Sequence, residues 1–142
     1  MITRTASARY DGFGKDGKGH VSTQSGVLAD QPYGFGTRFG DEAGTNPEEL
    51  IAAAHAACFT MALSFALAKE GFADGTLETV AKVKLDKDDD GFTISRSDLS
   101  LEASVPGIDE ARFREIAETA KAGCPVSRLL KAEIGLDMRL AG

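Results

Sequence analysis

Two cysteines, Cys58 and Cys124, are the residues of this 142-residue chain with the most distinctive chemistry. Two thiols that meet in space can alternate between a dithiol and a disulfide. Two cysteines are too few for the disulfide framework of a small secreted protein, and alone they cannot supply the four ligands of a structural zinc site. The chemistry to be examined is therefore thiol–disulfide chemistry.

Cys58 lies in the middle of an expected helix, about twelve residues after the N-cap at Asn46. The field of a helix dipole fades within the first turn, so this helix cannot by itself lower the pKa of the thiol. A nucleophilic Cys58 would need a cation brought from elsewhere in the protein. Taken alone, Cys58 is more simply an inert residue of a packed helix.

Cys124 has a different setting, between Gly123, which should end one helix, and Pro125, which should begin another. Proline disfavours the helical conformation for the residue before it, so Cys124 should be extended, as an N-cap residue is. A thiol at a helix start is favoured as the thiolate and is typically accessible. This setting suits a reactive cysteine, although an ordinary turn could also occupy it.

His55 lies one helical turn before Cys58, which suggests a cysteine–histidine hydrolase as another alternative. However, no third residue that would orient the imidazole is evident, and no oxyanion-hole motif follows the cysteine. A packed or hydrogen-bonded histidine is the simpler interpretation. One histidine and one cysteine also do not make a metal site without further ligands.

A long helix should position both His55 and Cys58. Asn46 is a good N-cap, Pro47 fits the first helical position, and the helix should run to about Lys69 and stop near Gly71. Apolar residues occupy nearly every face, so we expect the helix to be buried on most sides. Residues 50–68 have the length of a membrane span, but their many alanines favour packing inside a soluble protein.

Apolar–polar alternation predicts strands before and after this helix, at residues 3–10, 19–29, 77–85, 92–105 and 132–140. Residues 31–36 should form a loop, in which Tyr33 and Phe35 either pack locally or cover a site. An acidic turn at 88–91 should join the third and fourth strands, with a bulge near Ser97 and Asp98 where the alternation slips.

Two further helices are expected, from Asp109 to Gly123 and from Pro125 to Lys131. The order of strands, helix, hairpin, helices and strand predicts a single α+β domain over residues 1–142.

The overall composition limits the class of protein. A formal net charge of -6 and an isoelectric point near 4.9 argue against nucleic acid or an anionic membrane as the main partner. A hydrophobic content of 42% is typical of a globular protein. The first seven residues contain no apolar segment typical of a secretory signal, so we expect the reducing cytoplasm, where persistent structural disulfides are rare.

Two segments carry a family resemblance: residues 44–59, GTNPEELIAAAHAACF, and residues 123–127, GCPVS. They resemble the OsmC/Ohr family of bacterial thiol peroxidases, and residues 25–28, 31–35 and 105–109 are most similar to the OsmC branch. The resemblance covers essentially the whole chain. It implies a cytoplasmic, intertwined homodimer with an OsmC-like fold, in which antiparallel sheets surround a long central Ala-rich helix.

The resemblance also implies an activity and its residues. Family members reduce organic hydroperoxides, and hydrogen peroxide less well, without haem, flavin or metal. Cys58 is similar to the peroxidatic cysteine of the family and Cys124 to its resolving cysteine. Arg38 resembles the arginine that stabilises the thiolate. Glu48 resembles the carboxylate that orients this arginine, with Glu49 as the alternative.

The implied cycle passes through a Cys58 sulfenic acid and a Cys58–Cys124 disulfide, which an external dithiol reduces. Phe59, Met61, Phe65 and Leu129 are candidates to line the apolar pocket for an organic peroxide, although the same residues would serve equally well as core. An alternative is a redox-sensing or thiol-protecting protein that uses the same cysteines without fast turnover.

Helix geometry adds one expectation. Ten residues place Glu48 and Cys58 roughly 15 Å apart along a straight helix. We therefore expect the Arg38–Glu48 pair that reaches Cys58 to come at least partly from a partner subunit.

Overall fold

The computed structural model of this chain describes residues 1–141 and confirms the predicted α+β class. The elements are β1 (Ala6–Asp11), β2 (Lys18–Thr23), β3 (Gln31–Tyr33), α1 (Phe35–Phe39), α2 (Pro47–Lys69), β4 (Thr76–Asp88), β5 (Gly91–Ser104), α3 (Glu110–Gly123), α4 (Pro125–Leu129) and β6 (Glu133–Ala141). A single 3-10 turn, Gly14–Asp16, connects β1 to β2. The chain divides into two compact units, one ending at Leu50 and the other beginning at Ile51. The prediction of a single domain over residues 1–142 stays a prediction.

The first unit contains a three-stranded antiparallel sheet in the order β1-β2-β3. The predicted strand 19–29 ends early, at Thr23, and the chain then turns through Gly26, whose φ is 81°. The expected loop at 31–36 is wrong in part, because Gln31–Tyr33 pairs with β2 and α1 begins at Phe35. These short elements carry too few residues for a periodic signal in the sequence.

The second unit contains a sheet in the order β4-β5-β6. Strands β4 and β5 form a long antiparallel hairpin, as predicted, whereas β6 runs parallel to β5, so the expectation of antiparallel sheets is wrong for this one pair of strands. The parallel pairing follows from the connection, because α3 and α4 carry the chain back to the end of the sheet at which β5 begins.

The hairpin bulge lies at Ser95, so its predicted position near Ser97 and Asp98 is wrong by two residues. Lys84 pairs with Arg96 and Leu85 with Ile94, which leaves Ser95 as the extra residue. Either position would restore the apolar phase of the strand, and the sequence pattern alone does not distinguish them.

The ends of the helices follow their local signals. The N–H of Glu49 donates to Asn46 Oδ1 at 2.8 Å, so Asn46 is the N-cap of α2 as predicted. The helix ends at Lys69, before Gly71 with a φ of 96°. Asp109 caps α3 in the same way, by accepting from the N–H of Arg112. Helix α4 ends at Leu129, two residues before the predicted end at Lys131.

The core of the second unit is built around one face of α2. Phe59 and Leu63 from this helix, Leu99 and Leu101 from β5, and Phe113 from α3 are almost fully buried in one cluster. The residues that α2 buries, His55, Phe59, Leu63 and Leu67, recur every four positions. This spacing fixes which face of the helix meets the rest of the unit.

The opposite face of α2 is exposed, so the expectation of a helix buried on most sides is wrong for a single chain. Met61 is 62% exposed and Phe65 69% exposed, and Ala54, Ala57 and Ala68 share their face. We call these five residues the α2 apolar strip. By length and composition α2 could cross a membrane, a property that core helices of soluble proteins share. Apolar residues all round a helix predict burial, but they do not say which chain buries them.

Candidate active site

The structure brings Cys58 and Cys124 together. Cys58 is half-buried on α2, Cys124 is fully buried at the junction of α3 and α4, and both are free thiols. Cys58 packs against the buried cluster that contains Cys124, and each thiol shifts the pKa of the other. The two thiols are therefore neighbours, as the partners of a disulfide must be.

Cys124 has the extended backbone expected before a proline, with φ −58° and ψ 127°. Burial raises the pKa of its thiol, but hydrogen bonding outweighs burial, so the pKa lies below its usual value. The groups that lower the pKa are the thiol of Cys58, the N–H and hydroxyl of Ser127 and the N–H of Val126. These donors belong to the first turn of α4. The position at a helix start and the favoured thiolate expected for Cys124 are observed, but the expected accessibility is wrong for a single chain, because Cys124 is fully buried.

Cys58 behaves in the opposite way. Burial raises the pKa of its thiol, hydrogen bonding to Cys124 raises it further, and the N–H of Val126 offsets only part of this effect. The raised pKa agrees with the expectation that a thiol far from the N-cap gains little from the dipole of the long helix. Within this pair of thiols, Cys58 therefore holds its proton more firmly than Cys124 does.

Arg38 and Glu48 form a bidentate ion pair within the first unit. Arg38 Nε donates to Glu48 Oε1 and Arg38 Nη2 donates to Glu48 Oε2, each at 3.0 Å. Glu49 is engaged elsewhere, because its carboxylate accepts from Thr45 Oγ1 at 2.7 Å. Of the two carboxylates considered, Glu48 is thus the one that orients Arg38.

A cavity of about 200 Å³ lies next to Arg38 in the same unit. Its aromatic lining consists of Tyr10, Tyr33, Phe35 and Phe39, and the Arg38 guanidinium carbon lies 5.5 Å from the ring centroid of Phe39. Tyr33 and Phe35 therefore line a cavity beside the arginine. An aromatic pair between glycines was a partial signal for this cavity in the sequence, but nothing there indicated Tyr10 or Phe39.

The apolar pocket predicted around Phe59 is wrong in part. Phe59 is fully buried in the core of the second unit and is not available to a ligand. Met61, Phe65 and Leu129 are instead 62–77% exposed. The sequence pattern did not distinguish core residues from surface residues on a helix that is apolar all round.

His55 is fully buried and both of its ring nitrogens are occupied. Nδ1 is 2.6 Å from Ser97 Oγ and Nε2 is 2.7 Å from Ser127 Oγ. Burial lowers the pKa of the imidazole. Because neither nitrogen is left for Cys58, the hydrolase alternative is contradicted, and the expected hydrogen-bonded histidine is confirmed. Nothing in the sequence pointed to Ser97, and Ser127 was notable only for its place three residues after Cys124.

No cluster of three or more histidine, cysteine, aspartate or glutamate side chains suited to a metal ion occurs within residues 1–141. The arrangement of side chains supports chemistry at sulfur, because two neighbouring free thiols shift the pKa of each other and the pKa of Cys124, at a helix start, is lowered. The fold and the site define an α+β protein with a redox-capable dithiol.

Comparison with known proteins shows which family of such proteins the chain belongs to. Residues 40–139 match the sequence model of OsmC-like proteins, and the chain belongs to this family. It is 58% identical over 139 residues to Peroxiredoxin OsmC of Escherichia coli K12, covering 98% of this chain and 97% of that protein. It is 32% identical over 143 residues to an organic hydroperoxide resistance protein of Xanthomonas axonopodis pv. citri, covering 99% and 96%.

Solved structures agree with the sequence relatives. The organic hydroperoxide resistance protein OhrB of Bacillus subtilis superposes with a TM-score of 0.70 at 27% identity, over 99% of this chain and 98% of that one. A corresponding protein of Elizabethkingia anophelis superposes with a TM-score of 0.75 at 26% identity, over 100% and 97%. The OsmC-like fold and the resemblance stated from the motifs are confirmed, and the chain is a cysteine-based peroxidase.

Proposed function

We propose that residues 1–142 act as one domain of a cytoplasmic homodimer that reduces organic hydroperoxides to alcohols, and hydrogen peroxide less well. Cys58 is the peroxidatic cysteine and Cys124 the resolving cysteine. The observation that carries the proposal is the proximity of these two thiols, since Cys58 packs against the buried cluster that contains Cys124 and each thiol shifts the pKa of the other. Several related proteins are named for organic hydroperoxide resistance, in agreement with this choice of substrate.

In the first step the Cys58 thiolate attacks the distal oxygen of the hydroperoxide. The O–O bond breaks, the alkoxide leaves and takes a proton to become the alcohol, and Cys58 becomes a sulfenic acid. The raised pKa of Cys58 calls for a cation that stabilises the thiolate and the departing oxygen. Arg38, held by both oxygens of Glu48, is a pre-oriented guanidinium suited to that task.

In the second step the Cys124 thiolate attacks the sulfur of the Cys58 sulfenic acid. The S–O bond breaks, the hydroxide leaves as water after it takes a proton, and the Cys58–Cys124 disulfide forms. The lowered pKa of Cys124 favours this attack because the thiolate is the nucleophile. An external dithiol then reduces the disulfide by thiol–disulfide exchange and restores both thiols.

The preference for organic substrates rests on the cavity beside Arg38. Its aromatic walls offer an apolar surface to an alkyl or aryl group, while the guanidinium faces the polar end of the substrate. Hydrogen peroxide has no apolar group, so it gains nothing from these walls. The difference in binding should therefore favour the organic peroxide.

The homodimer rests on the α2 apolar strip. Three alanines leave room for a close approach, and Met61 and Phe65 offer apolar area that a single chain leaves exposed. A second copy of α2 matches such a strip, because a two-fold axis places the same surface on both sides of the interface. In this dimer Arg38 and Glu48 of one subunit serve Cys58 of the other at least in part, which makes the dimer necessary for activity.

The proposal is tested by rapid mixing of the reduced protein with cumene hydroperoxide or hydrogen peroxide in the presence of a dithiol. We expect faster consumption of the organic peroxide and no consumption by Cys58→Ser. Cys124→Ser should react once and then lose activity during turnover. Mass spectrometry of the wild type should detect the 58–124 disulfide. Repeated turnover by Cys124→Ser at the wild-type rate would rule out the resolving role.

The same measurements separate the enzyme from a redox-sensing protein with the same disulfide. A sensor would form the disulfide after one equivalent of peroxide but would turn over slowly at any concentration of dithiol. The 58% identity to a protein named peroxiredoxin favours the enzyme.

A further inference from the structure

A buried polar chain in the second unit has no part in the cycle described above. His55 on α2 lies between Ser97 on β5 and Ser127 on α4, and His55 and Ser97 are fully buried. Ser127 lies three residues after Cys124, in the first turn of α4, and its hydroxyl and N–H lower the pKa of the Cys124 thiol. The hydrogen-bonded chain Ser97–His55–Ser127 therefore runs from the sheet to the helical turn that follows the resolving cysteine.

The protons along this chain can point in only two directions, because each serine hydroxyl has one proton and a neutral imidazole has one. In the first, Ser97 donates to Nδ1, Nε2–H donates to Ser127 Oγ, and the Ser127 proton points at Cys124. In the second, Cys124 donates to Ser127, Ser127 donates to Nε2, and Nδ1–H donates to Ser97. Only the first direction provides a hydroxyl donor for a Cys124 thiolate.

The neutral imidazole needed for either direction fits its surroundings. Burial disfavours the imidazolium, and the two partners of the ring are hydroxyl groups rather than carboxylates. A ring with both nitrogens held at 2.6–2.7 Å is also fixed in its orientation. A neutral ring fixed in this way can hold a proton in place.

We propose that His55 is a positioning residue for Cys124, in the neutral Nε2–H tautomer that Ser97 imposes, and that it orients the Ser127 hydroxyl to donate to the Cys124 thiolate. This inference rests on the resolving role proposed for Cys124. When the thiolate attacks the Cys58 sulfenic sulfur, the S–S bond forms, the S–O bond breaks and hydroxide leaves as water. The donor from Ser127 keeps a larger fraction of Cys124 ionised for that attack.

The tautomer is tested by nitrogen NMR on the reduced, full-length protein. The chain has two histidines, so His20→Gln leaves the signals of His55 alone. We expect the proton on Nε2 in this variant, and a shift towards a mixture of tautomers when Ser97→Ala is added, because the donor to Nδ1 is lost. A proton on Nδ1 in the variant that keeps Ser97 would overturn the inference. This measurement does not depend on any enzymatic activity.

The kinetic test measures disulfide formation in a single turnover, after oxidation of Cys58 by one equivalent of organic hydroperoxide. Loss of one hydrogen bond to a thiolate should lower its ionised fraction about 10- to 100-fold, while the more basic thiolate gains about 3-fold in nucleophilicity per pKa unit. We therefore expect disulfide formation at pH 7 to slow about 3- to 10-fold in Ser127→Ala. The oxidation of Cys58 should keep its wild-type rate.

Conservative variants separate positioning from packing. Ser127→Thr keeps the hydroxyl and His55→Gln keeps a donor towards Ser127, so both should remain within about 2-fold of the wild-type rate. His55→Leu should be as slow as Ser127→Ala. Thr60→Val is the matched control. The hydroxyl of Thr60, on the same helix, hydrogen-bonds to Ala56 O and to Thr79 Oγ1 and is not one of the groups that act on Cys124.

Each result has one meaning. Wild-type disulfide formation in both Ser127→Ala and His55→Leu would overturn the positioning role of His55. A slow rate in Thr60→Val would also overturn it, since loss of any hydrogen-bonded hydroxyl on this helix would then suffice. If the wild type forms no 58–124 disulfide at all, the proposed function fails, and the tautomer measurement still decides the direction of the hydrogen bonds.

Discussion

Replacement of Phe65 by lysine should separate the proposed dimer into monomers without unfolding them. Phe65 is 69% exposed in a single chain, so its ring contributes little to the core of the second unit. Lysine is a good helix former, and a cation in the C-terminal half of a helix is compatible with the dipole. The chain carries a net charge of -6, so an added lysine lowers the long-range repulsion between two copies. A loss of the dimer would therefore arise from the interface itself.

The size of the effect follows from the exposed area. A phenylalanine side chain buries about 200 Å², so 69% exposure leaves roughly 140 Å² for a partner to cover. At about 25 cal/mol per Å² this area corresponds to about 3.5 kcal/mol for each copy and about 7 kcal/mol for a symmetric dimer. Area converts only in part to affinity, so we expect a loss of at least about 3 kcal/mol, or about 100-fold in Kd.

Sedimentation velocity over a range of protein concentrations measures this change, and circular dichroism checks that the monomer stays folded. Val80→Lys is the matched control. Val80 is 54% exposed, but it shares its face of β4 with Glu78, Lys82 and Lys84, which is the polar face of the strand. The control should keep the wild-type Kd. An unchanged Kd in Phe65→Lys, or a monomeric wild type with full peroxidase activity, would refute the reasoning.

Two further predictions concern the ion pair and the buried histidine. Glu48→Gln should lower kcat/KM for an organic hydroperoxide about 10- to 100-fold, because Arg38 loses one of two charge-assisted hydrogen bonds. Glu49→Gln is the control, and its kcat/KM should stay near the wild-type value because glutamine keeps an acceptor for Thr45. Equal losses in both variants, measured by steady-state kinetics, would contradict the role of Glu48. Burial lowers the pKa of His55 below its usual 6.5, so the unfolded chain binds the proton at higher pH than the folded chain. The free energy of unfolding of the wild type should therefore fall, relative to that of His55→Gln, as the pH drops below about 6.5, by at most about 1.4 kcal/mol per pH unit. Urea unfolding of both proteins at several pH values measures this difference, and a difference that does not change with pH would disprove the prediction.

The sequence predicted the elements whose signals are local. Asn46 and Asp109 cap their helices through bonds to residues three positions ahead, so each signal is complete within one turn. The long hairpin was predictable because alternation over more than ten residues specifies a half-buried strand. Extended backbone at Cys124 follows from the proline beside it.

The features that the sequence did not predict depend on distant partners. The position of the bulge at Ser95 depends on how two strands pair, which no single strand encodes. Ser97 lies 42 residues from His55 and Ser127 lies 72 residues from it, so only the fold shows that they share one imidazole. The exposed strip of α2 is a similar case, because its apolar residues are compatible with burial by the same chain or by another.

The order of the two thiol pKa values explains why the proposed dimer would be needed for activity. In the single chain the Cys124 thiolate is favoured over the Cys58 thiolate, although the cycle must begin with attack by Cys58. A guanidinium close to Cys58 would reverse this order, because a cation favours the nearest thiolate. Once Cys58 is a sulfenic acid, its thiol no longer competes, and the donors of α4 favour the Cys124 thiolate for the second step. The dimer would thus activate Cys58, whereas the fold of the single chain would activate Cys124.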